Sequence, residues 1–239
     1  MTESRYREYA PVSALAGRVQ SVWCQRVSAD HLQRVVPDGC ADVLWHNGEL
    51  QVAGPDTSWR MAPMAPGSVT VGIRFRPGAA GLLFGELPVS AVRDQMPELA
   101  DLWGARAVRE LTGRISDATT AAAVLQQAIV ARLLHVDNVD PVVMTAVREF
   151  DTPRPTAVPV IADRYGLSER QFRRRFVAAV GYGPSTLAGV LRLGRAMRLC
   201  AASARPAADV AFAVGYADQP HMTREMRRLA GVTPGELRS

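Results

Sequence analysis

The chain has 239 residues, 48% of them hydrophobic, enough for one large domain or two modest ones with their own cores, and disorder is excluded as the default. Its 28 basic residues are all arginine and its formal charge is +5, while Cys24, Cys40 and Cys200 are too few and too widely spaced for a disulfide framework or a four-cysteine zinc site. A charged start, MTESRYREYAP, and the lack of any apolar run of about 20 residues argue against a signal peptide and a membrane span, so a cytoplasmic protein is expected.

The first part reads as strands. In QRVVPDGCADVLWHNGELQVAGP a Pro-Asp-Gly turn precedes a strand over 40–46, and Asn47 with Gly48 is a strong hairpin signal before a second strand over 49–52. Alternation places Cys40, Asp42, Leu44 and His46 on one face and Ala41, Val43 and Trp45 on the other. SVTVGIRF, residues 68–75, is a further strand. The pattern then turns helical in GAAGLLFG, PELADLWG and, at greatest length, 117–135, whose apolar stripe suits either a cover for the strands or a dimer contact. The polar stretch HVDNVDP, 135–141, ends in proline and marks a boundary between a domain of residues 1–137 and one of residues 138–239.

Beyond that boundary no strand pattern remains. Helices are expected over 141–150, 156–165, 168–180, 185–202, 206–214 and 218–230, with a short last one near Pro234. Ser168 and Asp218 are good N-caps, and Pro206 suits a first helical turn. The expected fold class is therefore α+β: a β-rich, sensor-like N-terminal domain followed by helices, then an all-α C-terminal domain.

Charge is divided unequally between these parts. After Phe150 there are 14 arginines against seven acids, a charge of +7, which leaves −2 on the first 150 residues. Such an asymmetry is a footprint of nucleic-acid or acidic-surface binding.

The C-terminal part also repeats itself. VIADRYGLSERQFRRRFVAAVGYGP aligns with DVAFAVGYADQPHMTREMRRLAGVTP: Ile161, Ala162 and Gly166 match Val210, Ala211 and Gly215 at an offset of 49. Past the turn, Phe172, Arg174, Phe176, Gly181 and Pro184 match Met222, Arg224, Met226, Gly231 and Pro234 at an offset of 50. Each copy reads as helix, glycine turn, helix and stop, the layout of a helix-turn-helix unit. On a helical wheel Phe172, Phe176 and Val180 form one stripe, so Arg170 and Arg174 point away from it with Arg173 and Arg175 on the flanks. In the second copy Met222, Met226 and Leu229 form the stripe, and Arg224 projects outward with His221 and Thr223 beside it. Arginine reads guanine edges bidentately and clamps phosphates, so these faces suit a DNA groove.

The second copy, VAFAVGYADQPHMTREMRRLAGVTPGELR, resembles the C-terminal signature of AraC/XylS-type transcription regulators, and the first copy with its linker helix resembles the rest of that family's DNA-binding domain. The resemblance covers about the last hundred residues. It implies double-stranded DNA as a partner, with base-reading positions at Arg170, Arg173, Arg174, Gln219, His221, Thr223 and Arg224. Met222 and Met226 replace usual aromatics, Pro220 a usually polar residue, and Glu225 is expected to add a charge that phosphates repel. A small-molecule effector, RNA polymerase and a second copy of the chain are the further partners the resemblance admits, and its sequence-specific reading is set against a non-specific architectural DNA binder.

The PDGCADVLWHNG, VAGP and GIRFRPGAAG stretches resemble N-terminal domains found on some such regulators, whose ligands are undefined. For an effector, Trp45, Trp59 and Arg74, with Arg76, offer aromatic walls and a carboxylate-binding guanidinium. Cys40, Asp42 and His46 on one strand face raise a metal or redox reading, but their spacing favours a buried thiol, a hydrogen-bonded carboxylate and a surface imidazole, so no metal is expected. A DNA-alkylation repair protein using Cys40 would need a dedicated cysteine motif that is absent, as are nucleophile-elbow, Walker and dinucleotide motifs; neither catalytic residues nor a cofactor are expected.

Overall fold

The computed structural model describes residues 4–84, 87–133 and 139–237. The expected boundary at 137/138 falls outside the described residues.

Among the described residues seven strands are formed: β1 (Ser4–Tyr9), β2 (Val19–Val27), β3 (His31–Val35), β4 (Ala41–His46), β5 (Glu49–Ala53), β6 (Arg60–Met64) and β7 (Val69–Phe75). Antiparallel pairing joins β1, β2, β7, β4 and β5, in that order, into one sheet, and β3 with β6 into a separate ribbon. The β4–β5 hairpin turns at Asn47 and Gly48, both with positive φ, the geometry a two-residue turn of this hand demands.

Both faces of the sheet are covered. Val22, Val43, Val52, Ile73 and Phe75 point to one side and pack with Leu15, Leu83 and Leu99 under three helices, α1 (Leu99–Trp103), α2 (Ala105–Thr112) and α3 (Ala118–Leu133). Of the two roles open to the long helix, α3 takes the first: Ala121, Leu125 and Ile129 are fully buried against the strands. The other side of the sheet faces the β3–β6 ribbon across a cavity.

The remaining part is helical: α4 (Pro141–Phe150), α5 (Val158–Arg164), α6 (Glu169–Val180), α7 (Pro184–Ala202), α8 (Ala207–Val214) and α9 (Gln219–Ala230). Local chemistry sets their ends. Ser168 and Gln171 form a reciprocal capping box on α6, and the Asp218 carboxylate accepts from the His221 N–H at 2.6 Å on α9. Gly181 and Gly231 stop α6 and α9 in the left-handed region. Two cores follow: Phe172, Phe176 and Val180 pack with Ile161, Ala162 and Phe150, while Met222, Met226 and Leu229 pack with Val210, Ala211 and Cys200. α7 contributes its first half to one core and its second half to the other. No last helix forms near Pro234 within the described residues; Thr233 and Glu236 cap each other across a single turn instead. No single helix among the described residues is long and apolar enough to cross a membrane.

Candidate nucleic-acid interface

Two helix-turn-helix units, α5–α6 and α8–α9, are joined by α7. Phe172 and Phe176 are fully buried, and on the side of α6 turned away from them Arg170, Arg173, Arg174 and Arg175 are all exposed. Their pairing differs. Arg175 donates to Asp140 at 2.8 Å and Arg173 lies 3.4 Å from Glu169 one turn away, whereas Arg170 and Arg174 have no acidic partner among the described residues. These two are therefore the guanidiniums left available to an outside acceptor.

On α9, Gln219 and Arg224 are exposed, while Thr223 and His221 are partly covered. The His221 ring stands edge-on to Tyr216 at 5.2 Å and its Nε2 is 3.5 Å from Glu225, so it leans toward the protein. The expected repulsion between Glu225 and phosphate has no basis in the geometry. That side chain is only 10% exposed, accepts from Arg192 of α7 at 2.8 Å and from the Tyr216 hydroxyl at 3.3 Å, and is neutralised where it lies. Burial, followed by the Glu225 carboxylate, pushes the Tyr216 hydroxyl up to about 12. Pro220 falls in the first turn of α9, where a missing N–H costs no helical bond.

The units are held together at several points. Arg195 of α7 donates to Asp151 at 2.6 Å and to the Thr152 carbonyl, tying α7 to the loop after α4. Gly215, at the turn of the second unit, lies so close to the Pro153 carbonyl that a Cβ would sit 2.2 Å from it.

The β-rich part meets both units at the same chemical position, the glycine that ends each exposed helix. At Gly181, Pro55 fills the space a Cβ would take and Arg93 donates to the carbonyl at 3.4 Å. At Gly231, Trp59 and Arg34 fill that space; Arg34 lies over the Trp59 ring at 4.9 Å and donates to the Ala230 and Gly231 carbonyls at 3.0 and 2.9 Å. A cation at a helix C-terminus also complements the dipole.

The cavity between sheet and ribbon has a volume of about 720 Å³. It is lined by the Cys40, Asp42, Leu44 and His46 face of β4, as the alternation implied, and by Arg74. The two expected tryptophans are elsewhere. Trp45 is on the opposite face of β4, packed beneath α3, and Trp59 sits at Gly231; the aromatic wall is instead Trp23, packed on Gly72 of the neighbouring strand, with Tyr6 at 5.7 Å from it. Arg76 is exposed outside the cavity. Arg74 is bidentate to Asp42, both contacts at 3.2 Å, and also meets Asp38 at 3.5 Å and Glu8 at 3.7 Å. It is thus already saturated with carboxylates rather than free for an acidic ligand. Burial works against its charge, but Asp42 and Asp38 outweigh it and raise its pKa.

Burial likewise raises the Asp42 carboxyl, with Arg74 pulling the other way, and lifts the Cys40 thiol well above its usual range. Cys40 donates to Gln20 at 3.4 Å, and His46 is not a surface group but a cavity one, bonded to Thr70 at 2.7 Å. Among the described residues no three such side chains are grouped to hold a metal ion. Sequence reasoning missed Glu8, Trp23, Arg34 and Asp38. None of them is marked by a local pattern, and the carbonyls that Arg34 reaches are nearly two hundred residues away.

Comparison with known proteins agrees with this arrangement. Residues 161–239 match the family described as Helix-turn-helix domain, and residues 7–98 the family described as Domain of unknown function (DUF6597). The HTH-type transcriptional activator RhaS of Escherichia fergusonii is 36% identical over 78 residues, 33% of this chain and 28% of its own. An AraC-like transcription regulator of Streptomyces lividans is 32% identical over 101 residues, 41% of this chain and 33% of its own, so the chain spans no more than about a third of the curated relatives it matches. A solved transcriptional regulator from Chromobacterium violaceum, of the AraC-type DNA-binding domain-containing proteins, is 31% identical; the match covers 41% of this chain and 89% of that one, at a TM-score of 0.38. With its duplicated helix-turn-helix units and this identity across most of an AraC-type chain, the protein belongs to the AraC/XylS-type regulators.

Proposed function

We propose that the protein is a sequence-specific DNA-binding transcription regulator in which residues 138–239 bind DNA and residues 1–137 modulate that binding. α6 and α9 enter successive major-groove segments on one side of the duplex, at a bipartite site of about 20 bp. The observation that carries this reading is the pair of buried-stripe helices presenting arginines outward from a shared, rigid α7. At 1.5 Å per residue, its 19 residues span about 28 Å, which with the width of the units suits one DNA turn of about 34 Å.

Roles follow from what each side chain already holds. Arg170 and Arg174 read base edges, Arg224, Gln219 and Thr223 do so from α9, and Arg173 and His221 play a lesser part because of Glu169 and Glu225. Selection of fragments from a random DNA pool by the full-length protein at near-physiological salt tests the reading. A two-part motif with half-sites about one turn apart is expected; enrichment without a motif would instead indicate an architectural binder. On the selected site, Arg174→Ala should weaken binding by about 1–3 kcal/mol and relax preference at one base position. Uniform weakening across all sequences would make Arg174 a phosphate contact. A repair enzyme that uses Cys40 as a methyl acceptor is disfavoured, because the thiol is buried and held protonated.

A further inference from the structure

The charge inside the cavity is unbalanced. Asp56 is met by Arg60 at 3.6 Å, but Glu8, Asp38 and Asp42 all converge on the single guanidinium of Arg74, which leaves that end of the lumen at a formal −2. The remaining guanidinium of the lining, Arg34, is turned out of the lumen to the carbonyls at the end of α9. Beside the carboxylates stands the Trp23 ring, with Leu44 and Met64 for apolar walls. The space is large enough for a small organic molecule.

The wall nearest the helical part is shared. Within residues 34–40, Arg34, Val36, Asp38 and Cys40 line the lumen, while Val36 also packs on the core of the second unit. Gly39 abuts Leu187 of α7, where a Cβ would sit 2.7 Å from it. One seven-residue segment therefore touches the lumen, the linker helix and the end of α9.

We propose that this lumen binds an organic cation, a primary amine or guanidine on an apolar body, with its charged end among Glu8, Asp38 and Asp42 and its body against Trp23, and that residues 34–40 pass its occupancy to the DNA-facing units. Carboxylates supply the charge complement, and the indole with Leu44 and Met64 supplies apolar walls for the body. An acidic ligand is disfavoured, since it would meet three carboxylates and a guanidinium they already occupy. The binding half of this proposal stands by itself; the coupling half rests on the DNA-binding reading above.

Calorimetric titration of the full-length protein with 2-phenylethylamine, tryptamine and agmatine, and with phenylacetate and indole-3-acetate as acidic counterparts, tests the site without DNA. At least one amine is expected to bind saturably with a Kd below about 1 mM, and neither acid should. Asp38→Asn and Glu8→Gln should each weaken the amine roughly tenfold. Asn at 38 keeps the acceptor used by the Cys40 N–H, and Glu8 lies on an edge strand, so the two substitutions burden folding differently. If no amine binds, or the acids bind better, the site assignment is overturned. The binding amine should then shift the Kd for the selected DNA by threefold or more in fluorescence anisotropy. Amine binding without such a shift overturns the coupling alone, whereas a protein that selects no DNA motif but still binds the amine refutes the DNA reading and leaves the lumen assignment intact.

Discussion

Glu225 shows how far a residue's meaning depends on which way it points. Read along the chain it is an acid on a recognition helix; in the fold it is the counter-charge of Arg192 and an acceptor for Tyr216. Glu225→Gln should therefore not raise DNA affinity, and should destabilise the protein by about 1–3 kcal/mol by leaving Arg192 without its carboxylate, a result that thermal unfolding and anisotropy together would check. Asp42 gives a pH prediction. Its folded pKa is raised, so the native state holds that proton more tightly than the unfolded chain does, and the stability from this group is present at acid pH and declines as pH rises from about 4 through the raised value. Asp42→Asn should flatten that decline in denaturant titrations run across the acid range. The period of two along β4 was enough to sort its faces correctly. It also placed Trp45 opposite Asp42; that Arg74 shares the face of Asp42 is set by the register of β4 against β7, which no local pattern announces.

Among the elements, helices of the C-terminal part were legible because caps, glycine stops and a duplicated stripe all agreed. β4, β5 and β7 were legible for a similar reason, each bounded by turn residues. By contrast β3 and β6 form a ribbon over a polar lumen, so neither presents a clean apolar face, and β6 even carries Pro63; nothing local distinguishes them from loop. The glycine stops permit a direct test of what the interface contributes. Gly166 and Gly231 have nearly equal positive φ, 63° and 65°, but a Cβ at 166 meets nothing within 4 Å while one at 231 would lie 2.4 Å from the Trp59 ring. Gly166→Ala should cost only the backbone part, about 1–2 kcal/mol, and Gly231→Ala distinctly more, with chemical denaturation reporting both.

For the whole molecule, the excess of arginine after Phe150 falls on the part that carries the helix-turn-helix domain, and the fold adds how the β-rich part holds it. Contacts that depend on Arg34, Pro55 and Arg93 join residues far apart in sequence, which is why no local pattern announced them. They also have a consequence for the DNA. Because α7 is one unbroken helix, because Gly215 rests on the Pro153 carbonyl and because both glycine stops are seated on the same β-rich body, the angle between α6 and α9 about the duplex axis is fixed by the protein. DNA advances by about 34–36° of rotation with each base pair. On the bipartite reading proposed above, a single base pair added between half-sites would turn one groove segment away from its helix, with α7 and the clamp holding the helices in place. Affinity for the selected site should drop steeply on insertion of one or five base pairs and stay low even on insertion of a full turn, since a frame of this length cannot stretch to the next groove. On the two-helix reading proposed above, the molecule would act as a fixed-phase gauge, selecting for the spacing between two short words as strictly as for their letters.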